Sequence, residues 1–169
     1  MRSVRKSGKF FYYEEKGRKL DTVYIGGGTP TTLEPDQLQR LLDTLTEHFD
    51  CRNLAEFTIE AGRPDSITRE KLQVIRKYPV SRISVNPQTM NQETLEIIGR
   101  RHTAEETRQA FYLARECGFD NINMDLIVGL PGEDLKKVQY TLDEIKKDGS
   151  GQYYGSFSCG KKGGKAEYF

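Results

Sequence analysis

A chain of 169 residues with 36% apolar and 30% charged residues has the size and composition of one globular domain built on a single core. No apolar stretch approaches the roughly 20 residues that a membrane-spanning helix needs, and no secretory leader is recognisable, so the expected compartment is the cytoplasm and no membrane partner is expected. A formal net charge of +1 gives no overall pull toward polyanions, and no nucleic-acid partner is expected.

The first 20 residues begin with a basic stretch, Arg2, Arg5, Lys6 and Lys9, and continue into the aromatic run Phe10-Phe11-Tyr12-Tyr13. Three readings stand: the remnant of a helix or linker from an upstream unit, a transit-like arm, or a nucleic-acid contact. The first is preferred, because a transit peptide is Ser-rich and acid-poor over a longer stretch. From Asp21 to about Lys147 strand and helix signals alternate. Asp21–Ile25 is a short apolar strand that empties into Gly26-Gly27-Gly28-Thr29-Pro30. Pro35 suits a first helical turn, and Leu38, Leu41, Leu42, Leu45 and Phe49 then form one apolar stripe.

Ala55–Glu60 is the second strand. Thr68 is the N-cap of a short helix with Leu72 and Ile75 inward, and Ser81–Asn86 is the third strand. Asn91 caps another short helix carrying Leu95 and Ile98, which stops near Gly99. Thr103 with Glu106 three residues on makes a capping box, followed by an apolar face of Ala110, Phe111, Ala114 and Cys117 that ends at Gly118. Asn121–Val128 is the fourth strand, and a last helix over about Glu133–Lys147 is expected to bury Leu135, Val138, Leu142 and Ile145. Gly149–Phe169 contains six glycines and no usable periodicity, which predicts a disordered tail. The chain therefore divides into 1–20, an α/β unit at 21–148, and the tail at 149–169.

Repeated βα units joined by short loops imply a parallel sheet, because parallel strands need crossover connections and these are helical. Four such units fit either an open doubly wound sheet or part of a barrel, and both place ligands at the carboxyl ends of the strands. Gly26–Thr29, Glu60, Gln88 and Asp125 all fall there. Three glycines in a row expose bare main chain to a small polar ligand. Cys51, Cys117 and Cys159 form no CxxC pattern and no disulfide framework, and Cys117 reads as core. His48 and His102 are isolated, so no metal site is assigned to this chain's residues.

Taken together, GGGTPTTL at Gly26–Leu33, TIEAGRPD at Thr58–Asp65, RISVNPQTM at Arg82–Met90, IGRRHT at Ile98–Thr103 and NINMDLIVGLPGE at Asn121–Glu133 resemble one family. It is the oxygen-independent coproporphyrinogen III oxidase, or coproporphyrinogen dehydrogenase-like, family of radical S-adenosylmethionine enzymes. The resemblance implies a partial TIM-like (β/α) barrel of which this chain supplies the middle strands. It implies S-adenosylmethionine as cofactor, with Gly27, Gly28 and Thr29 at its methionine end, Arg100 on the methionyl carboxylate, Gln88 and Asp125 on ribose hydroxyls, and Glu60 completing the rim. It also implies a tetrapyrrole substrate and oxidative decarboxylation of coproporphyrinogen III to protoporphyrinogen IX in porphyrin and haem biosynthesis; no electron donor is indicated. Plainer readings of the same residues are a tight turn for the glycines, turn or cap roles for Glu60, Gln88 and Asp125, and a solvated charge for Arg100.

Members of the family hold a [4Fe–4S] cluster through CxxxCxxC upstream of the glycine run, whereas the first cysteine here is Cys51. The expectation is an incomplete radical enzyme, inactive as this piece; the competing expectation is a non-catalytic α/β module that holds S-adenosylmethionine or another nucleotide. The tail departs too. One permissible back-translation of Lys147–Tyr168, read one nucleotide on, gives KMDPDSITVHSLAVKRAAKLN, which is similar to the family's continuation. We expect the DNA across the Lys146–Phe169 codons to encode that string in the shifted frame, making the tail an out-of-frame product; a DNA sequence with no frame able to encode it would refute this.

Overall fold

The computed structural model describes the backbone at residues 3–6, 9–12, 20–147 and 157–159, and side chains within 20–147. Its centre is a four-stranded parallel sheet of β3 (Thr22–Ile25), β4 (Glu56–Glu60), β5 (Arg82–Ser84) and β6 (Ile122–Asn123), in that spatial order. Helices α1 (Pro35–His48), α2 (Arg69–Ile75), α3 (Gln92–Ile97) and α4 (Ala104–Glu116) lie between them in sequence, and α5 (Leu135–Lys147) follows β7 (Leu126–Val128). This is the expected α/β architecture, a parallel sheet with alternating helices and a partial barrel.

Side chains on a strand alternate between faces, and here the two faces differ in chemistry. The register sets Ile25, Ile59, Ile83 and Ile122 side by side, and the last three are fully buried together with Phe57, Leu38, Leu42, Leu72, Ile75 and Phe111. On the other face the same strands present Tyr24, Glu56, Thr58, Glu60, Arg82, Ser84 and Asn123. Only the first layer is a hydrophobic core.

The local signals act as expected at several helix ends. Thr68 Oγ1 accepts from the Lys71 N–H at 3.3 Å, and Thr103 and Glu106 form the reciprocal capping box at 3.1 and 2.6 Å. Gly118 ends α4 with φ +86°. Met90 and Met124 are buried.

Other expectations are corrected. Asn121–Val128 is two strands: Met124 and Asp125 separate β6, which pairs with β5, from β7, which pairs with β8 (Phe157–Cys159). On α1, Leu41 and Phe49 are exposed while Leu38 and Leu42 carry the packing. Asn91 stands at the N-cap of α3 as expected, but its side chain makes no capping hydrogen bond; its amide donates instead to the Lys137 carbonyl at 2.9 Å and the Thr141 hydroxyl at 3.0 Å, tying α3 to α5. Leu135 is 87% exposed: α5 begins at this residue and docks through Thr141, Glu144 and Ile145 further along.

At the start of the chain, β1 (Ser3–Lys6) pairs antiparallel with β2 (Lys9–Tyr12), so these described residues are strand and not helix. Aromatic and β-branched residues such as Val4, Phe10 and Phe11 favour strands over helices. Within the tail, β8 (Phe157–Cys159) pairs parallel with β7, and the rest of the expected disorder lies outside the described residues.

The helix-facing layer is expected to carry most of the stability. Ile59→Ala, at a fully buried position, should cost about 2–5 kcal/mol, read as a drop in urea midpoint; a cost below about 1 kcal/mol would mean that the layer is loosely packed.

Candidate functional site

The polar residues converge where β3 and β4 end. Tyr24 Oη donates to Glu60 Oε2 at 3.1 Å, the Gly27 N–H donates to the same oxygen at 3.4 Å, and Asn86 Nδ2 donates to Glu60 Oε1 at 3.5 Å. Glu60 thus gathers the glycine loop, the preceding strand and the segment after β5 around one carboxylate. Two glycines are needed for this approach. A Cβ at Gly26 would stand 2.3 Å from the Tyr24 ring and 2.6 Å from Glu60 Oε2, and Gly27 sits at φ +104°. Nothing lies within 4 Å of where a Cβ on Gly27 or Gly28 would be, so the loop's outer side is open.

A buried lysine fixes this loop from behind. Lys71 is 9% exposed, and its ammonium donates to the Thr31 carbonyl at 2.7 Å and the Ser66 carbonyl at 3.3 Å, while the Thr31 and Ser66 hydroxyls meet at 2.6 Å. The short turns Pro30–Thr32 and Pro64–Ser66, which follow the glycine run and the Glu60 strand, are therefore pinned together.

Gln88 is the one non-glycine residue with positive φ among the described residues, at +67°. Its N–H donates to the Asp125 carbonyl at 3.1 Å and its carbonyl accepts from the Ile127 N–H at 2.9 Å, so the main chain of Gln88 is clamped to the turn that carries Asp125. Left-handed backbone is costly for a residue with a side chain and clusters at functional sites. Nearby, the buried Asn86 Oδ1 and Ser84 Oγ have no hydrogen-bond partner among the described residues, and buried polar atoms in that condition fit a site that receives a ligand or water.

A cavity of about 220 Å³ opens on the polar face, lined by Tyr24, Glu56, Thr58, Arg82, Ser84, Asn123 and Asp125. Of the residues expected from the sequence, Gly27 and Glu60 are in direct contact and Gln88 is joined to Asp125. Thr29 accepts from the Thr32 N–H and hydroxyl in the turn after the glycines. Arg100 sits in the turn after α3, its N–H on the Leu95 carbonyl, and its side chain makes no ion pair with the other site residues among those described. Tyr24, Glu56, Arg82 and Asn123 were missed; the signal for them is the polar half of the alternation in TVYI, EFTIE, RIS and INMD.

Comparison with known proteins places this geometry. The Radical SAM superfamily model matches residues 10–145. The chain belongs to the radical SAM superfamily. It is 48% identical over 137 residues, 80% of this chain, to the oxygen-independent coproporphyrinogen-III oxidase-like protein HemZ of Bacillus subtilis, of which the match covers 27%. It is 41% identical over 125 residues to the heme chaperone HemW of the same organism, covering 73% of this chain and 33% of that protein. Coproporphyrinogen III oxidase (HemN) from Escherichia coli, a radical SAM enzyme, aligns with a TM-score of 0.72 and 30% identity over 85% of this chain and 32% of its own. The chain thus spans about a quarter to a third of the length of these radical SAM relatives.

The radical SAM family binds S-adenosylmethionine and a [4Fe–4S] cluster. The open glycine loop, the unpartnered Asn86 Oδ1 and the clamped Gln88 fit the first group. The described residues do not fit the second: Cys51 is buried in the core, Cys117 is partly buried at the end of α4, and no trio of His, Cys, Asp or Glu among them is grouped as a metal site.

Loss of water around its hydroxyl, then the Glu60 charge and hydrogen bond, push the Tyr24 pKa up from 10.0 to about 12. Tyr78 is raised to about 12 as well, by burial and by donating to Asp43. A raised folded-state pKa stabilises the fold below the unfolded value near 10 and loses that contribution as pH rises through 12. An ultraviolet phenolate titration is expected to lose one late-ionising tyrosine in Tyr24→Phe relative to the unsubstituted chain; an unchanged late phase in that variant would contradict the Tyr24–Glu60 contact.

Proposed function

We propose that this chain is the S-adenosylmethionine-binding part of a radical enzyme acting on a tetrapyrrole, the whole protein carrying out oxidative decarboxylation of coproporphyrinogen propionates. The observation that carries this reading is the polar rim at the carboxyl ends of successive parallel strands, Glu60, Gln88 and Asp125 beside the glycine loop, in a radical SAM chain. S-adenosylmethionine, when bound, supplies the sulfonium from which the family's radical chemistry starts. This chain's residues bind and orient it. Main-chain groups of Gly27, Gly28 and Thr29 face its methionine end, and the Arg100 guanidinium matches the two oxygens of its carboxylate. The Gln88 amide and Asp125 carboxylate take the ribose hydroxyls, and Glu60 holds the loop while closing the rim. Iron–sulfur ligands belong, in this reading, to residues outside those described.

A second reading is favoured by the similarity to the heme chaperone HemW. Here the module handles haem without redox turnover.

Equilibrium dialysis of the full 169-residue chain against S-adenosylmethionine tests the proposal. Hydrogen bonds to a charged group contribute about 1.5–3 kcal/mol, so Asp125→Ala is expected to weaken binding by roughly ten- to a hundredfold. Unchanged affinity in that variant removes the ribose assignment. No affinity in the wild-type chain, together with a visible-band shift on adding haemin, would favour the second reading.

A further inference from the structure

The polar face carries a continuous polar relay of which the binding roles above use only the last residue, Asp125. Thr58 Oγ1 donates to Glu56 Oε1 at 2.7 Å; Arg82 Nη1 donates to Glu56 Oε2 at 3.0 Å; Arg82 Nη2 donates to Asn123 Oδ1 at 2.8 Å; and Asn123 Nδ2 donates to Asp125 Oδ1 at 2.7 Å. The links come from β4, β5, β6 and the turn after β6. We propose that Arg82 and Asn123 are positioning residues that set the carboxylate plane of Asp125, and so the affinity for the ribose of the bound nucleotide. This rests on the reading of Asp125 given above.

The logic lies in donor and acceptor inventories. A guanidinium only donates, so an amide facing Arg82 must turn its oxygen toward it. That choice leaves the Asn123 Nδ2 pointing at Asp125, and a carboxylate only accepts. The charge of Arg82 therefore fixes which way the Asn123 amide is flipped, and the flip decides whether Asp125 meets a donor or a second acceptor. Glu56 neutralises Arg82, and its own carboxyl is held below the ordinary range, first by the Thr58 hydroxyl and also by Arg82.

Stability alone does not account for the relay. The packing of these strands is made on the opposite face by Phe57, Ile59, Ile83 and Ile122. Half-buried ion pairs cost desolvation that their attraction barely offsets, and apolar replacements are often neutral or stabilising. What such a chain does provide is orientation, and it terminates on a residue of the ligand rim. The cavity of about 220 Å³ has all five residues of the relay along its wall, so a shift anywhere in the relay reaches the ligand's side of the sheet.

The test is a double-mutant cycle on the full chain, with S-adenosylmethionine and its 2′,3′-dideoxy analogue as probes, binding read by calorimetry and folding by thermal melting. Asn123→Asp is nearly isosteric and keeps an acceptor for Arg82, yet replaces the donor to Asp125 by a like charge. It is expected to melt close to wild type, to lose at least tenfold in S-adenosylmethionine affinity, and to lose the wild-type preference for the ribose over the dideoxyribose ligand. Arg82→Met should lose several-fold, and Arg82→Met combined with Asn123→Leu should bind no more weakly than Asn123→Leu alone. Full multiplication of the two losses, or an Asn123→Asp chain that keeps both affinity and ribose preference, would overturn the proposal. A wild-type chain that binds neither probe overturns the underlying reading and the relay's role with it. A wild-type chain that binds with Asp125→Ala impaired and Asn123→Asp intact overturns the relay alone.

Discussion

The two-faced character of the parallel sheet is the constraint on which the rest depends. Period-2 alternation puts an isoleucine from each of β3 to β6 in one row, and burial of that row against α1, α2 and α4 fixes the register. A slip of one residue would send every apolar side chain to the polar side and every charge into the core. Once the register is held, the opposite row of Tyr24, Thr58 and Arg82, and the next row of Glu60, Ser84 and Asn123, cannot avoid standing together. A polar pocket is thus a by-product of the same alternation that makes the core.

On that platform the rim is assembled from strand ends, each held by something other than its own strand. The glycine loop leans on Glu60 in front and on Lys71 behind. Gln88 is locked to the Asp125 turn by two main-chain hydrogen bonds. Such cross-bracing between loops leaves little slack in the positions of the polar groups. It is the arrangement that preorganised recognition of a charged, hydroxylated ligand calls for.

The sequence carried the architecture well, because alternation of βα units, glycine stops and capping residues are local signals. The strands, the Thr68 and Thr103 caps and the end of α4 at Gly118 were legible for that reason. What was not legible depended on contacts distant in the chain. The break of Asn121–Val128 into β6 and β7 comes with a change of partner: β6 pairs with β5, whereas β7 pairs with β8 and meets the earlier chain only at Gln88. Asn91 has the composition of a cap, but partners on α5 claim its amide. The pairing of β1 with β2 was not legible because Arg5, Lys6 and Lys9 interrupt the apolar pattern of Val4, Phe10 and Phe11. At the site, the glycines, Glu60, Gln88 and Asp125 stood out as strand-end residues, whereas Arg82 and Asn123 looked like ordinary strand positions until their neighbours were known.

The backbone at Gln88 has one further meaning. A residue with a side chain in the left-handed region carries about 1–2 kcal/mol of strain that glycine would not, and this chain uses glycine freely elsewhere, at φ +104°, +70°, +86°, +84° and +76°. A turn alone would be better served by glycine at 88. The standing strain sits where the main chain of Gln88 is clamped between the Asp125 carbonyl and the Ile127 N–H. A Gln88→Gly chain would be the more relaxed molecule and the looser one: ease of folding and a fixed path for the main chain pull in opposite directions at this single residue.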